Sequence, residues 1–110
     1  MERVNKIFNS TIYKEYLKRL EEYEEKREFC RHNLEHFLDM SRIAYMMVLE
    51  KNLQYSKEVI YAIGLLHDIG RVEQYEKGIG HHIASFNIAK EILKDIDFKE
   101  EEKTMILEAI

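Results

Sequence analysis

The chain has 110 residues, the size of one ordinary domain, with 17 basic and 21 acidic side chains and a formal net charge of −4. It holds 0 Pro and 4 Gly, where an average soluble chain of this length holds about 5 and about 8; hairpin-rich, collagen-like and Pro-rich linker architectures are excluded, and an all-α fold is expected. The apolar content of 45% is too high for general disorder, and a net acidic chain lacks the basic face of a non-specific nucleic-acid binder.

The single cysteine, Cys30, has no intrachain disulfide partner and reads as an ordinary helix residue. No basic-then-apolar leader opens the chain. The longest apolar run, Val59 to Leu66, has eight residues, against the ~20 of a membrane span. The expectation is a cytoplasmic, reducing setting with no membrane partner.

Five helices are predicted. The first spans roughly residues 4–28 on a stripe of Phe8, Ile12, Tyr16, Leu20 and Tyr23. Its mixed charges, Glu15 with Arg19 among them, read as a solvated face. The second spans roughly 29–53 and places Phe29, His32, His36, Met40, Ile43 and Met47 in one helical seam. The third opens at Ser56 as N-cap, with Glu58 in its first turn. It is apolar on nearly every face and should be central; a buried strand is the competing reading of so short a run. It ends in His67-Asp68-Ile69-Gly70-Arg71, with Gly70 as its stop. Gly70, Gly78 and Gly80 mark one substantial loop. The fourth helix runs from His81 or His82 to Ile96, with His82 on the seam of Phe86, Ala89 and Leu93, and His81 in line with Ser85 and Ile88. The fifth begins at Asp97, with Glu100 completing a capping box, and carries Met105, Ile106, Ala109 and Ile110. The chain stops with that pattern still running. The reading is one helical domain over 1–110, incomplete at its C-terminus or ending in an apolar surface suited to a homo-oligomer.

The end of the third helix carries the chemistry. Asp68 follows a wholly apolar run and faces the negative end of the helix dipole, so its charge calls for a positive neighbour. Arg71 is one; a divalent cation is another, with His67 beside it as a second ligand. His36 lies on an apolar face 31 residues before His67, and antiparallel helices can bring His36, His67 and Asp68 to one point. Imidazole with carboxylate suits Mn, Fe, Co, Ni or Zn, and Mg with more oxygen ligands. The plainer reading is a helical bundle whose histidines are hydrogen-bonded core residues, His32 first among them, and whose Asp68 pairs with Arg71.

His36-Phe37-Leu38-Asp39-Met40-Ser41-Arg42-Ile43-Ala44 resembles the first-histidine helix of the HD superfamily of metal-dependent phosphohydrolases. Leu65-Leu66-His67-Asp68-Ile69-Gly70-Arg71 resembles that family's HDIG motif, with arginine where lysine is commoner. Gly80-His81-His82-Ile83-Ala84-Ser85 is similar to its next helix. The resemblance covers roughly residues 29–110. It implies an all-α HD-domain-like bundle with His36, His67 and Asp68 as metal ligands. His81 matches a position that in some members binds a second metal or the substrate phosphate. His82 does not match, but its predicted seam placement keeps it in the same candidate set. Arg71 follows the motif, where a bidentate guanidinium can meet phosphate oxygens. The family's further aspartate from the last helix has no counterpart between Phe98 and Ile110, and Asn33 stands where an arginine is usual.

The expected function is therefore metal-dependent hydrolysis of a phosphomonoester or phosphodiester, on a nucleotide or small phosphorylated metabolite. Asp68 and Arg71 would be the catalytic residues. The alternative is a catalytically degenerate HD-fold module that binds nucleotide or metal without turnover. A third reading is a plain helical interaction protein. Asp68→Ala is expected to stabilise the metal-free chain by removing a buried carboxylate.

Overall fold

Ser56 starts the helix on which the fold is built. Its backbone is extended and its hydroxyl accepts the Val59 amide at 3.1 Å, satisfying a donor that a helix start otherwise leaves bare. The helix that follows, Lys57–Leu66, is buried at Val59, Tyr61, Ala62, Gly64, Leu65 and Leu66. The computed structural model describes residues 1–25 and 33–110, and among these there is no strand. The all-α expectation holds, and the strand reading of Val59 to Leu66 fails.

Seven helices form among the described residues, against the five predicted: α1 (Glu2–Phe8), α2 (Thr11–Glu24), α3 (Leu34–Glu50), α4 (Lys57–Leu66), α5 (Arg71–Lys77), α6 (His81–Leu93) and α7 (Glu100–Ala109). α4 is central and packs against α1, α3 and α7. No helix among the described residues is long and apolar enough to cross a membrane.

The predicted first helix divides at Asn9–Ser10. Ser10 is extended, and its hydroxyl accepts the Tyr13 amide at 3.3 Å, so a second N-cap wins over helix continuation. The break also rephases burial. Tyr13, Leu17, Leu20 and Glu24 face inward, whereas Phe8, Ile12 and Tyr23 are exposed. α1 is held by Arg3. Glu58 accepts its backbone amide at 2.7 Å and its Nε at 3.1 Å, and Glu102 accepts Nη1 at 2.7 Å. One guanidinium thus joins α1, α4 and α7.

Asn33 caps α3, its side-chain oxygen accepting the His36 amide at 2.9 Å. α3 buries Phe37, Ser41 and Val48. The predicted seam lies elsewhere: His36 is half-buried, and Met40, Ile43 and Met47 are exposed. The helical period holds but the phase does not, because α3 carries a second apolar row that faces α4. Phe29, Cys30 and His32 fall outside the described residues.

The predicted glycine loop is mostly helix. α5 occupies 71–77, and Gly78 ends it with a left-handed φ of 70°. In α6, Ala84, Ser85, Ile88, Ala89, Ile92 and Leu93 are buried, while Phe86 and His82 face solvent. α7 begins at Glu100, where Glu102 accepts the Lys99 amide at 2.9 Å. Asp97 does not cap it and pairs with Lys6 at 3.0 Å.

Tyr13, Phe37, Leu65, Leu66, Ile69, Leu93 and Ile106 lie in one core, each such burial contributing ~1.5–3 kcal/mol. Tyr13 adds a polar tie: its hydroxyl donates to the Leu65 carbonyl at 2.9 Å, filling an acceptor in the last turn of α4.

Candidate functional site

α4 gives way at His67 to a tight turn over residues 67–70. The His67 amide still closes the helix on the Ile63 carbonyl at 2.9 Å, and the Arg71 amide reaches the Asp68 carbonyl at 3.1 Å. Ile69 is fully buried within this turn. It pins the loop to the core and fixes the side chains on either side.

Two glycines set the neighbours. A Cβ at Gly64 would overlap Ser41 Oγ and lie 3.3 Å from the Phe37 carbonyl. Only a glycine lets α3 come this close, one turn before His67. A Cβ at Gly70 would lie 2.6 Å from the His81 carbonyl and 2.7 Å from the Ala84 carbonyl carbon. The predicted role of Gly70 as the stop of the helix before it is therefore corrected, since α4 ends at Leu66 with His67 as its C-cap. The Gly70 φ is −74°, and its smallness admits the start of α6. Its amide donates to the buried Ser85 hydroxyl at 2.8 Å.

The result is a cluster around Asp68, which is 7% exposed. His67 Nε2 lies 3.3 Å from Asp68 Oδ2, Arg71 Nε 3.5 Å from the same oxygen, and His81 Nε2 3.8 Å from Oδ1. His67 Nδ1 stands 2.9 Å from the Gly64 carbonyl. A carbonyl only accepts, so Nδ1 donates to it, and Nε2 is the nitrogen turned to Asp68. Burial pulls the His67 imidazole down, but the Asp68 carboxylate, as hydrogen-bond partner and as charge, acts together with the Gly64 and Ile63 carbonyls the other way, and the net shift is upward from 6.5. An apolar cleft of about 180 Å³ opens beside His67, between Met40, Ala44, Ile60 and Ile63.

Residues 33–110 match the family model described as HD domain. The chain belongs to the HD-domain family. An uncharacterized protein of Clostridium beijerinckii is 49% identical over 110 residues, which are 100% of this chain and 70% of that protein. No solved structure matches the chain.

In this HD domain, His67, Arg71 and His81 stand around Asp68. His36 stands on α3 with its ring centroid 6.3 Å from that of Phe37, whose ring meets His67 edge-on at 5.7 Å. His82 is not on an inward seam. It is exposed, and its ring lies against that of His81 at 3.9 Å between centroids, because α6 turns Ala84 and Ser85 inward instead. Ser41, Gly64 and Ser85, which position the cluster, were not singled out by motif. Their signal was present only as small residues within buried helical rows.

The family implies a divalent metal. The donor types suit one, since His67 and Asp68 offer an imidazole and a carboxylate side by side. Their placement does not complete a site. Among the described residues, no group of three or more His, Cys, Asp or Glu side chains is gathered as a metal ion needs. Asp68 instead meets Arg71 and two histidines, so its charge is balanced within the protein.

Proposed function

We propose that the chain is a ligand-binding HD module for a phosphate-bearing small molecule, a nucleotide or phosphorylated metabolite, in which turnover is lost or dependent on groups outside the described residues. The observation that carries this reading is the cluster of His67, Arg71 and His81 around the Asp68 carboxylate. Three groups able to carry positive charge converge at the mouth of α4. Arg71 supplies a guanidinium suited to phosphate, and His81, the first residue of α6, faces the other oxygen of Asp68. The neighbouring cleft has room for one small ring, as a ~150 Å³ apolar cavity accepts benzene.

A second reading, hydrolysis of a phosphomonoester or phosphodiester, is favoured by one detail. The hydrogen bond from His67 Nδ1 to the Gly64 carbonyl is the kind of outer contact that orients a metal-binding imidazole. On this reading His36, His67 and Asp68 hold the ion, and Arg71 and His81 face the phosphate.

Calorimetric titration with a nucleoside monophosphate and with inorganic phosphate, with and without Mn²⁺, tests the choice, alongside elemental analysis and a generic phosphoesterase assay. The module reading expects binding that Arg71→Ala and His81→Ala weaken, with no phosphate release. Stoichiometric metal that disappears in His67→Ala and Asp68→Ala, together with metal-dependent phosphate release, would establish the hydrolase instead. Absence of any phosphate or nucleotide binding would refute both.

A further inference from the structure

We propose that the cleft beside His67 selects the ester group of the phosphate-bearing ligand, and that this group is a small hydrocarbon, a ring or branched chain of about six carbons, and not a nucleoside. The inference rests on the phosphate-binding reading above and narrows it. The cleft, about 180 Å³, lies where α3, α4 and α7 meet. α4 lays Ile60, Ile63 and His67 along it, at i, i+3 and i+7 of one helical face. Met40 and Ala44 enter from α3 and Ala109 from α7. His67 also belongs to the charged cluster. Its Nε2 stands 3.3 Å from Asp68, on whose two oxygens Arg71 and His81 converge. Cleft and cluster therefore share a wall, and a phosphate held by Arg71 and His81 can place its ester substituent against Ile63.

Polarity and size select the occupant. Among the described residues that line the cleft, only Ser41 and His67 have polar side chains, and both are engaged. The Ser41 hydroxyl donates to the Phe37 carbonyl at 2.8 Å. His67 Nδ1 donates to the Gly64 carbonyl at 2.9 Å, and Nε2 turns to Asp68. A nucleobase seated here would give up water at its ring nitrogens and its amino or keto groups and regain no matching hydrogen bonds. A hydrocarbon loses nothing of the kind and gains from leaving water. An apolar cavity of ~150 Å³ holds benzene, so the cleft takes one such ring, and a base with its ribose exceeds it. Met40, unbranched and flexible, adapts the wall to the outline of the group.

Calorimetric titration of the full chain in chelator-treated buffer tests this, with inorganic phosphate, phenyl phosphate and adenosine monophosphate as probes. Phenyl phosphate should bind at least about tenfold more tightly than inorganic phosphate, and adenosine monophosphate no more tightly than inorganic phosphate. Ala44→Phe, at an exposed position on the cleft, should keep the helical circular dichroism of the parent and erase the advantage of the phenyl group. Arg71→Ala should weaken inorganic phosphate and phenyl phosphate by the same factor, since one phosphate position serves both. If neither of these two ligands binds, the phosphate-binding reading fails and this inference with it. If inorganic phosphate binds and the phenyl group adds nothing, or if adenosine monophosphate binds best, this inference alone is overturned. A phenyl advantage that survives Ala44→Phe, or phenyl phosphate binding that ignores Arg71→Ala, overturns it as well.

Discussion

The Gly70 amide donates to the buried Ser85 hydroxyl at 2.8 Å, stitching the turn that carries Asp68 to the helix that carries His81. The bond forms because nothing but hydrogen stands on the Gly70 α-carbon.

Gly70→Ala should cost about 3 kcal/mol, since its Cβ meets the backbone of residues 81–85 and not a side chain that can swing aside. Ser85→Ala should cost about 1–3 kcal/mol by orphaning the amide. Thermal melts check both, at roughly 4–8 °C per kcal/mol for a domain this small. A Gly70→Ala variant that melts with the parent would contradict the close approach of α6.

At Gly64 the obstruction is a side chain. An added methyl overlaps Ser41 Oγ and lies 3.0 Å from Ser41 Cβ. Gly64→Ala should therefore destabilise by about 1–2 kcal/mol, although alanine is the better helix former by about 1 kcal/mol. Placed in a Ser41→Gly background, the same change should turn neutral or stabilising. A double-mutant cycle by urea denaturation measures the coupling, expected to exceed about 1 kcal/mol. Strict additivity would mean that α3 and α4 do not meet there.

Arg3 makes stability depend on acid. Burial pushes the Glu58 carboxyl up, but the Arg3 amide and guanidinium more than offset this and hold it below 4.5. The hydrogen bond from Arg3 likewise outweighs burial and lowers Glu102 from 4.5. Depressed carboxylates contribute stability above their unfolded values, and that contribution fades as pH falls through the folded ones. Denaturant titrations should show stability lost on acidification below about pH 4.5. Arg3→Met should flatten that acid limb and lower neutral-pH stability by about 1–2 kcal/mol. Identical acid profiles for parent and variant would remove Arg3 from this role.

Asp68→Ala should destabilise the chain in chelator-treated buffer, which reverses the expectation from sequence. Asp68 is not an unpaired buried charge; it faces His67, Arg71 and His81. Removing it leaves the buried Arg71 Nε without the carboxylate that stands 3.5 Å away. The expected cost is about 1–3 kcal/mol by urea denaturation. A more stable variant would show that these neighbours do not compensate Asp68.

Much of this was legible in the chain. Ser56 and the apolar run after it announced α4, and the His67-Asp68 pair announced the cluster, because caps and an interrupted apolar run are local signals. The break at Ser10 was not legible, since a serine inside a charged periodic stretch can cap a new helix or sit on an old one. The phase of α3 was hidden for another reason. Leu34, Phe37, Tyr45 and Val48 make one apolar row, and Met40, Ile43 and Met47 make another. Periodicity alone does not choose between two rows; the small residues Ser41 and Gly64, at the α3–α4 crossing, do. For the site, helical register drew His82 inward, and the two buried positions Ala84 and Ser85 rotate it out.

The Tyr13 hydroxyl on the Leu65 carbonyl bears on any attempt to isolate the family-matched portion. Residues 33–110 carry the whole match, yet Tyr13, Leu17 and Leu20 supply one wall of the interior that α4 occupies. A shortened protein starting at Asn33 would present bare hydrocarbon and an unanswered carbonyl just upstream of His67. Minimal versions of this domain must keep the amino-terminal helices, even though the recognisable signature begins after them.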